Sequence, residues 1–298
     1  MFPRHHKTSP QKFPPLMSNR FHEMPFPKAG RSSFAMPSVQ RRNSSRAALQ
    51  PPFAVLTFRG KSKAEDVEPE RAARLLAEQV KGLQATGFQF RSLDAAVSNS
   101  GQETSGGTLV LTIDARDAQA DSPLLAALST LEVPTTVFQT AAQIQDQTRR
   151  QREYWHRLTL TGLFDFGIQA SVESIRQPRP IDDYEGLVMS RDYLASEFAI
   201  TRPMFAFPVG SNVWDAEWEQ MALAIGARCC LADRSQLVNL NHSNFRWGRF
   251  LVTEEDSPRV VNRRLRRQFS QWRQIWSSIR QRLRTCQTNQ PCVSIEGI

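Results

Sequence analysis

The stretch that decides the fold is "TLVLTIDARD", residues 108–117. Its first six residues are leucine, isoleucine, valine or threonine, a composition typical of a strand that is buried on both faces. Asp114 follows directly, so the strand ends on a carboxylate. Many α/β enzymes build their site by placing such a group at the C-terminal end of a strand. Asp114 is therefore the first candidate catalytic residue.

Strand-like and helix-like segments alternate along the rest of the sequence. The strand-like runs are short and rich in Val, Phe, Leu and Thr, and longer stretches of helical composition separate them. Strict alternation predicts a parallel sheet, and about eight such strands predict a barrel with ligands at the C-terminal strand ends. The predicted strands are 53–58, 88–93, 108–114, 133–139, 164–170, 203–209, 227–232 and 249–253. The predicted helices are 69–86, 122–131, 149–161, 185–198 and 214–225.

Charge divides the 298 residues into three parts. Residues 1–50 and residues 259–298 each contain nine Lys or Arg against a single Glu, so each part carries +8. Because the whole chain carries +9, residues 51–258 carry −7. Seven of the 18 prolines lie in residues 1–50 without apolar periodicity, which predicts a disordered basic tail. The acidic central part makes a nucleic-acid partner unexpected.

No run in the N-terminal tail is long enough for the apolar core of a signal peptide or for a membrane span. Cytoplasm is therefore the default expectation. An arginine-rich start that is poor in acids also fits an organelle transit peptide, although the prolines argue against the amphipathic helix that such peptides form. The sequence leaves the compartment open.

Five segments between about Phe53 and Asp256 resemble, in the same order, the polysaccharide deacetylase family, also called the NodB-homology domain or carbohydrate esterase family four. The segment "LVLTIDARD" stands where the family has a strand ending in Thr-Phe-Asp-Asp-Gly. The lead-in "AVLTFRG" resembles the branch that deacetylates poly-N-acetylglucosamine. The resemblance implies an irregular (β/α) barrel of about seven strands over residues 51–258. The other four segments are "LLAALSTLEVPTTVFQTAAQI", "GLFDFGIQASVES", "SRDYLASEFAITRPMFAFPVGSNVWDAEWEQMALAIGARCCLAD" and "WGRFLVTEED".

The resemblance also implies metal-dependent hydrolysis of an amide. In the family one Asp is the general base on a metal-bound water, and a second Asp with two His, four residues apart, holds the divalent metal. In this sequence Asp114 falls on the base position and Ala115 on the metal-binding Asp, while Gln169 and Glu173 fall on the two His positions. Alanine cannot bind a metal, and an amide oxygen is a weaker ligand than imidazole. We therefore expect no cofactor and a vestigial Asp114.

One alternative retains a metal ion. Asp117, three residues after Asp114, can move into the vacant ligand position and form with Gln169 and Glu173 an all-oxygen site suited to Mg²⁺, Ca²⁺ or Mn²⁺. The chain is then an active hydrolase of N-acetyl amide bonds in amino-sugar polymers, with a divalent metal as cofactor. In the opposite interpretation, Asp114, Arg116 and Asp117 form a surface ion-pair cluster.

The main functional hypothesis is a catalytically degenerate deacetylase-like domain that acts as a carbohydrate-binding or scaffolding module. Its expected partner is an amino-sugar polysaccharide. Four residues beside predicted strand ends are candidates for a substrate cleft, because aromatic rings stack on sugars and pockets form at these ends. They are Phe207, Pro208, Val209 and Trp247.

The C-terminal part, residues 259–298, contains a predicted basic amphipathic helix followed by a tail. Apolar residues recur there every three or four positions and trace one stripe, and nine Arg lie between Arg259 and Arg284. This composition is typical of a helix that binds an anionic membrane surface or an acidic protein, here through residues 260–285. The alternative is a terminal helix docked on the acidic barrel. The stripe consists of Val261, Leu265, Phe269, Trp272, Trp276, Ile279 and Leu283.

Overall fold

The computed structural model describes most of the chain from residue 51 onward. The predicted tail, residues 1–50, lies outside the described residues, as do the candidate site residues Ala115, Asp117 and Val209. The described ranges are 51–59, 69–98, 106–114, 122–176, 180–208, 216–240, 245–253 and 255–288.

Nine strands and nine helices occur within these ranges, and every predicted helix is present. The strands are β1 (Phe53–Arg59), β2 (Phe88–Phe90), β3 (Gly107–Ile113), β4 (Thr135–Thr140), β5 (Phe164–Gln169), β6 (Met204–Ala206), β7 (Cys230–Ala232), β8 (Arg246–Gly248) and β9 (Phe250–Thr253). The helices are α1 (Pro69–Ala85), α2 (Leu93–Ser98), α3 (Pro123–Thr130), α4 (Ala141–Gln145), α5 (Arg149–Leu160), α6 (Val172–Arg176), α7 (Pro180–Phe198), α8 (Ala216–Ala224) and α9 (Pro258–Thr288).

The strands form one sheet in the order β8-β7-β6-β5-β4-β3-β1-β9, with β2 added beside β3. The ladders between these strands are parallel. Strands β8 and β9 lie at opposite ends of this order, yet Arg249 alone separates them in the chain. One continuous segment therefore pairs with β7 and then with β1, which joins the two ends of the sheet. If β8 and β9 are counted as one strand, seven strands surround the barrel. The prediction of an irregular (β/α) barrel of about seven strands is confirmed.

Alternation along the strands separates two hydrophobic cores. In β1, for example, Leu56 packs in the larger core with helix residues such as Leu76 of α1. Val55 packs in the smaller core inside the barrel, together with Leu93 of α2. Inside the barrel, Gly167 allows a close approach, because a Cβ atom there would lie 2.4 Å from the Phe138 ring. The barrel interior is thus filled with side chains and offers space for a ligand at its ends.

A cavity of about 240 Å³ lies at the end of the barrel where the strands begin. Asp165 lines it, at the start of β5, and the carboxylate Oδ1 accepts a hydrogen bond of 2.8 Å from the Phe166 N–H. Burial raises the pKa of Asp165, and the hydrogen bond from Phe166 opposes this rise. Burial therefore favours the protonated form of this carboxyl group in the folded protein.

We expect Asp165→Asn to raise the melting temperature at neutral pH. An asparagine side-chain oxygen can accept the same hydrogen bond from Phe166, and no charge is buried. The pKa of Asp165 in the folded protein lies above its unfolded value of 3.8. The free energy of unfolding therefore falls as the pH rises through the interval between these two pKa values. The gain in melting temperature from Asp165→Asn is thus expected to disappear below about pH 4. Thermal melting between acidic and neutral pH measures it, and the exposed Asp146→Asn is the control; equal gains for both variants would contradict the prediction.

The first part of α9 docks on the barrel. Val261, Leu265 and Phe269 are all buried, and the Phe269 ring lies 5.8 Å from the ring of Phe88, centroid to centroid. Arg264 donates a hydrogen bond of 3.0 Å to the Leu251 carbonyl. The docked-helix interpretation therefore holds for this part of the stripe. Among the residues that the structure describes, no helix combines the length and hydropathy needed to span a bilayer.

Candidate functional site

Several polar side chains meet where the strands end. Asp114 follows β3 and Gln169 is the last residue of β5; Arg59 and Thr140 end β1 and β4. All four line one cavity of about 490 Å³. The remaining lining residues are Ala142, Gln143, Ala170, Ser171, Val172, Glu173 and Pro208. The parallel strands thus bring Asp114, Gln169, Glu173 and Pro208 together, although they are distant in sequence.

Asp114 is held in place at the floor of this cavity. Only 6% of the residue is exposed, and its backbone N–H points to the Phe58 carbonyl at 3.5 Å. The Gln169 side chain is also buried, and its Nε2 atom donates a hydrogen bond of 2.9 Å to Asp114 Oδ2. The amide at position 169 therefore orients the carboxylate that stands on the family's base position.

Glu173 occupies the wall of the cavity. It lies four residues after Gln169, in the first turn of the short helix α6, and it is exposed. The spacing that brings two histidines together in the family therefore places an amide on the floor and a carboxylate on the wall here.

Arg249 is a buried residue that interacts electrostatically with Asp114 and that sequence reasoning missed. It is 1% exposed and donates hydrogen bonds to Asp233 Oδ1 at 3.2 Å and to the Phe207 carbonyl at 2.5 Å. Burial lowers the pKa of Arg249, whereas the charges of Asp233 and Asp114 raise it. An arginine within the apolar run "WGRFLV" was the available signal, because such a charge is buried only with partners.

Two of the predicted cleft residues do not line the cavity. Phe207 is fully buried and packs in the larger core, where its ring meets Phe205 edge to face. Trp247 is 3% exposed and lies inside the barrel against Phe53, with 5.4 Å between ring centroids. The expectation that these rings stack on a sugar is therefore wrong. Pro208 does line the cavity.

Solved structures with the same architecture identify the fold. The Streptococcus pyogenes deacetylase PplD is 15% identical, with a TM-score of 0.58 over 72% of this chain and 99% of its own. IcaB from Ammonifex degensii is 18% identical, with a TM-score of 0.57 over 73% of this chain and 98% of its own. A polysaccharide deacetylase from Bacillus cereus, BC0361, is 9% identical, with a TM-score of 0.56 over 72% of this chain and 69% of its own.

The barrel has the polysaccharide deacetylase fold. At these identities the similarity establishes the fold, and the fold implied by the five sequence segments is confirmed. No family model matches the sequence, and no curated protein matches it either.

The described residues do not fit the divalent metal that the polysaccharide deacetylase family implies. Gln169 turns its Nε2 donor, and not its oxygen, toward Asp114. Over the described ranges, no group of three His, Cys, Asp or Glu side chains is arranged to hold a metal ion. A catalytic zinc site in proteins needs three good ligands. The Asp114 and Gln169 side chains at the floor of the cavity are instead hydrogen-bonded to each other.

Proposed function

We propose that this chain is a polysaccharide deacetylase-like module that binds an amino-sugar polymer and does not hydrolyse it. The observation that carries the proposal is the cavity beside Asp114. It keeps the position of a substrate cleft at the C-terminal strand ends, while alanine, glutamine and glutamate stand at the metal-ligand positions.

The chemistry of the lining supports a carbohydrate ligand. Sugar hydroxyl and acetamido groups both donate and accept hydrogen bonds, and the cavity presents groups of each kind. Arg59 and Gln143 carry donor groups and Glu173 accepts, while Thr140 and Ser171, whose hydroxyl protons are donated to Gln143 and Ser174, can accept. A cavity of about 490 Å³ lies within the usual range for small-ligand sites. Apolar atoms of Ala170 and Pro208 can contact the carbon face of a sugar ring.

We infer the loss of hydrolysis by comparing the rate enhancement that a lone general base supplies with the enhancement that enzymes achieve. Without a metal ion to activate water and stabilise the oxyanion, a positioned carboxylate supplies the general-base contribution, about 10²–10⁴-fold. Enzymes accelerate such difficult reactions by about 10⁶-fold or more. Asp114 with Gln169 therefore falls short by several orders of magnitude.

Blocking the cavity is expected to weaken sugar binding. A tryptophan in place of Ala142 would fill the exposed mouth of the cavity. The affinity for N-acetylglucosamine or glucosamine oligomers should therefore fall by more than about tenfold, which corresponds to a loss of about 1.4 kcal/mol in binding free energy. Isothermal titration calorimetry measures the change. Ala126→Trp, at an exposed alanine of α3 outside the cavity lining, is the matched control.

Asp114→Asn separates binding from catalysis. Asparagine retains an oxygen that can accept the Gln169 hydrogen bond, so oligomer affinity should stay within a few-fold, and acetate release should be absent before and after the change. Metal-dependent acetate release by the unaltered chain that Asp114→Asn abolishes would contradict the proposal and favour the alternative with Asp117 as a ligand.

A further inference from the structure

Helix α9 leaves the surface of the barrel after Phe269. From residue 270 to residue 278, every residue whose burial is described is exposed, except the half-buried Trp272. Ile275, a large apolar residue, is 59% exposed. The helix nevertheless continues to Thr288, about 28 Å beyond Phe269. In proteins most helical stability comes from packing of an amphipathic face, so a second supporting surface is expected.

In the docked part of α9 three of the five arginines lie on the solvent side, while Arg264 and Arg266 border the buried stripe and donate hydrogen bonds to the Leu251 and Thr86 carbonyls. Arg259, Arg263 and Arg267 follow one another at four-residue spacing and are all exposed. At about 100° per residue they form a ridge opposite the buried stripe of Val261 and Leu265. Like charges at this spacing repel one another. This arrangement is typical of a helix that packs on protein with one face and meets solvent with the other.

Beyond Phe269, up to residue 285, no arginine lies opposite the stripe. Trp272, Trp276, Ile279 and Leu283 continue the same stripe in the sequence. Positions 273, 280 and 284 border the stripe on one side and position 282 borders it on the other, and all four are arginine. The positions opposite the stripe are uncharged: Gln274, Ser277, Ser278 and Gln281. Apolar residues with arginines along both borders are the pattern of a helix that lies in a bilayer interface.

We propose that residues 270–285 of α9 lie in the interface of an anionic bilayer and hold the barrel at the membrane surface. Arginines that border an apolar stripe can reach lipid phosphates while the stripe enters the acyl boundary. Trp276 in the stripe fits the headgroup region, where amphipathic rings concentrate.

The acidic barrel does not oppose this arrangement. Residues 51–258 carry −7, but charges farther away than about 8 Å are screened at physiological ionic strength. Of the bordering arginines in residues 270–285, the first is Arg273, after the helix has left the barrel. A polyanion recognised through charge alone would need the arginines and would not need the tryptophans, isoleucine and leucine of the stripe.

Co-sedimentation of the full chain with vesicles tests the proposal. Vesicles of phosphatidylcholine containing about one third phosphatidylserine should sediment the protein, and pure phosphatidylcholine should do so far less. Replacing Arg273, Arg280 and Arg284 with Gln should weaken partitioning on the order of 100-fold, because each arginine near an anionic surface contributes about fivefold. The double variant Trp276→Gln/Ile279→Gln should produce a loss of the same order through the apolar contact.

Matched variants on the barrel separate the helix from non-specific effects. Arg149, Arg150 and Arg152 are exposed on α5, and their replacement with Gln removes the same charge without affecting sedimentation. Leu160→Gln/Leu223→Gln removes two exposed leucines and also leaves it unchanged. Absence of sedimentation with the anionic vesicles overturns the proposal. Sensitivity to the arginine variant without sensitivity to Trp276→Gln/Ile279→Gln overturns it as well, because binding is then electrostatic alone. The cavity variant Ala142→Trp should sediment like the unaltered chain, so this test is independent of sugar binding.

Discussion

The triple variant Ala115→Asp, Gln169→His and Glu173→His is expected to bind zinc more than about 100-fold more tightly than the unaltered chain. Loss of a residue that merely supports a metal ligand costs about 10–100-fold in affinity, so the return of three direct ligands should exceed that. The scaffold is still able to aim them: position 169 ends β5 beside Asp114, and position 173 lies four residues later on the wall of the same cavity.

Zinc content after dialysis and calorimetric titration measure this effect. The unaltered chain is expected to retain no stoichiometric zinc and to release no acetate from N-acetylglucosamine oligomers. Gln145→His/Glu153→His, which introduces two histidines at exposed positions, controls for weak surface binding. Equal zinc affinity of the triple variant and this control would show that the strand ends no longer position ligands. Stoichiometric zinc in the unaltered chain would contradict the proposed loss of the metal.

Arg249→Met is expected to destabilise the barrel by about 3–5 kcal/mol, because removal of one partner from a largely buried ion pair is strongly destabilising. Arg249 is the hydrogen-bonding cation of Asp233 and the donor to the Phe207 carbonyl, and it also lies in the field of Asp114. For a domain of this size the melting temperature should fall by roughly 6–20 °C. Thermal and urea unfolding measure the loss.

Arg149→Met is the control, in an exposed ion pair on α5. Arg149 pairs with Glu153, and the two side chains are 90% and 54% exposed, so its removal should cost at most about 1 kcal/mol. The double variant Arg249→Met/Asp233→Asn should recover part of the lost stability, since it also removes the carboxylate charge that Arg249 balances. If Arg249→Met unfolds no more easily than Arg149→Met, the ion pair with Asp233 contributes little in solution.

The fold could be predicted because local patterns and tertiary contacts agree in this chain. The run before Asp114 forms β3 in the middle of the sheet, and α1 begins at Pro69, where proline is favoured in the first helical turn. The predicted strand 88–93 was too long, because the structure has strand over Phe88–Phe90 and the helix α2 from Leu93. Leu93 fits either element by composition, and its burial inside the barrel decides between them.

The site could be predicted less completely, because strand ends can be located in the sequence but side-chain direction there is harder to assign. As aromatic residues near strand ends, Phe207 and Trp247 are predicted from the sequence to line the cleft. Alternation contained the missing signal: Phe205 packs in the larger core, so Phe207, two residues later, faces the same way, while Ala206 faces the barrel interior. The hydrogen bond from Gln169 to Asp114 joins residues 55 positions apart, which no local pattern contains.

The step from β8 through Arg249 to β9 has a consequence for synthesis of the protein. Strands β1 and β7 receive their last neighbours from this one segment, near the end of the barrel sequence. While the chain is being translated, the other strands can assemble as an open sheet with two unpaired edges, and such edges promote association between nascent chains. The vulnerable interval ends when residue 253 leaves the ribosome and pairs with β1. A chaperone that shields nascent chains is therefore expected to matter most for products that stop before Arg246.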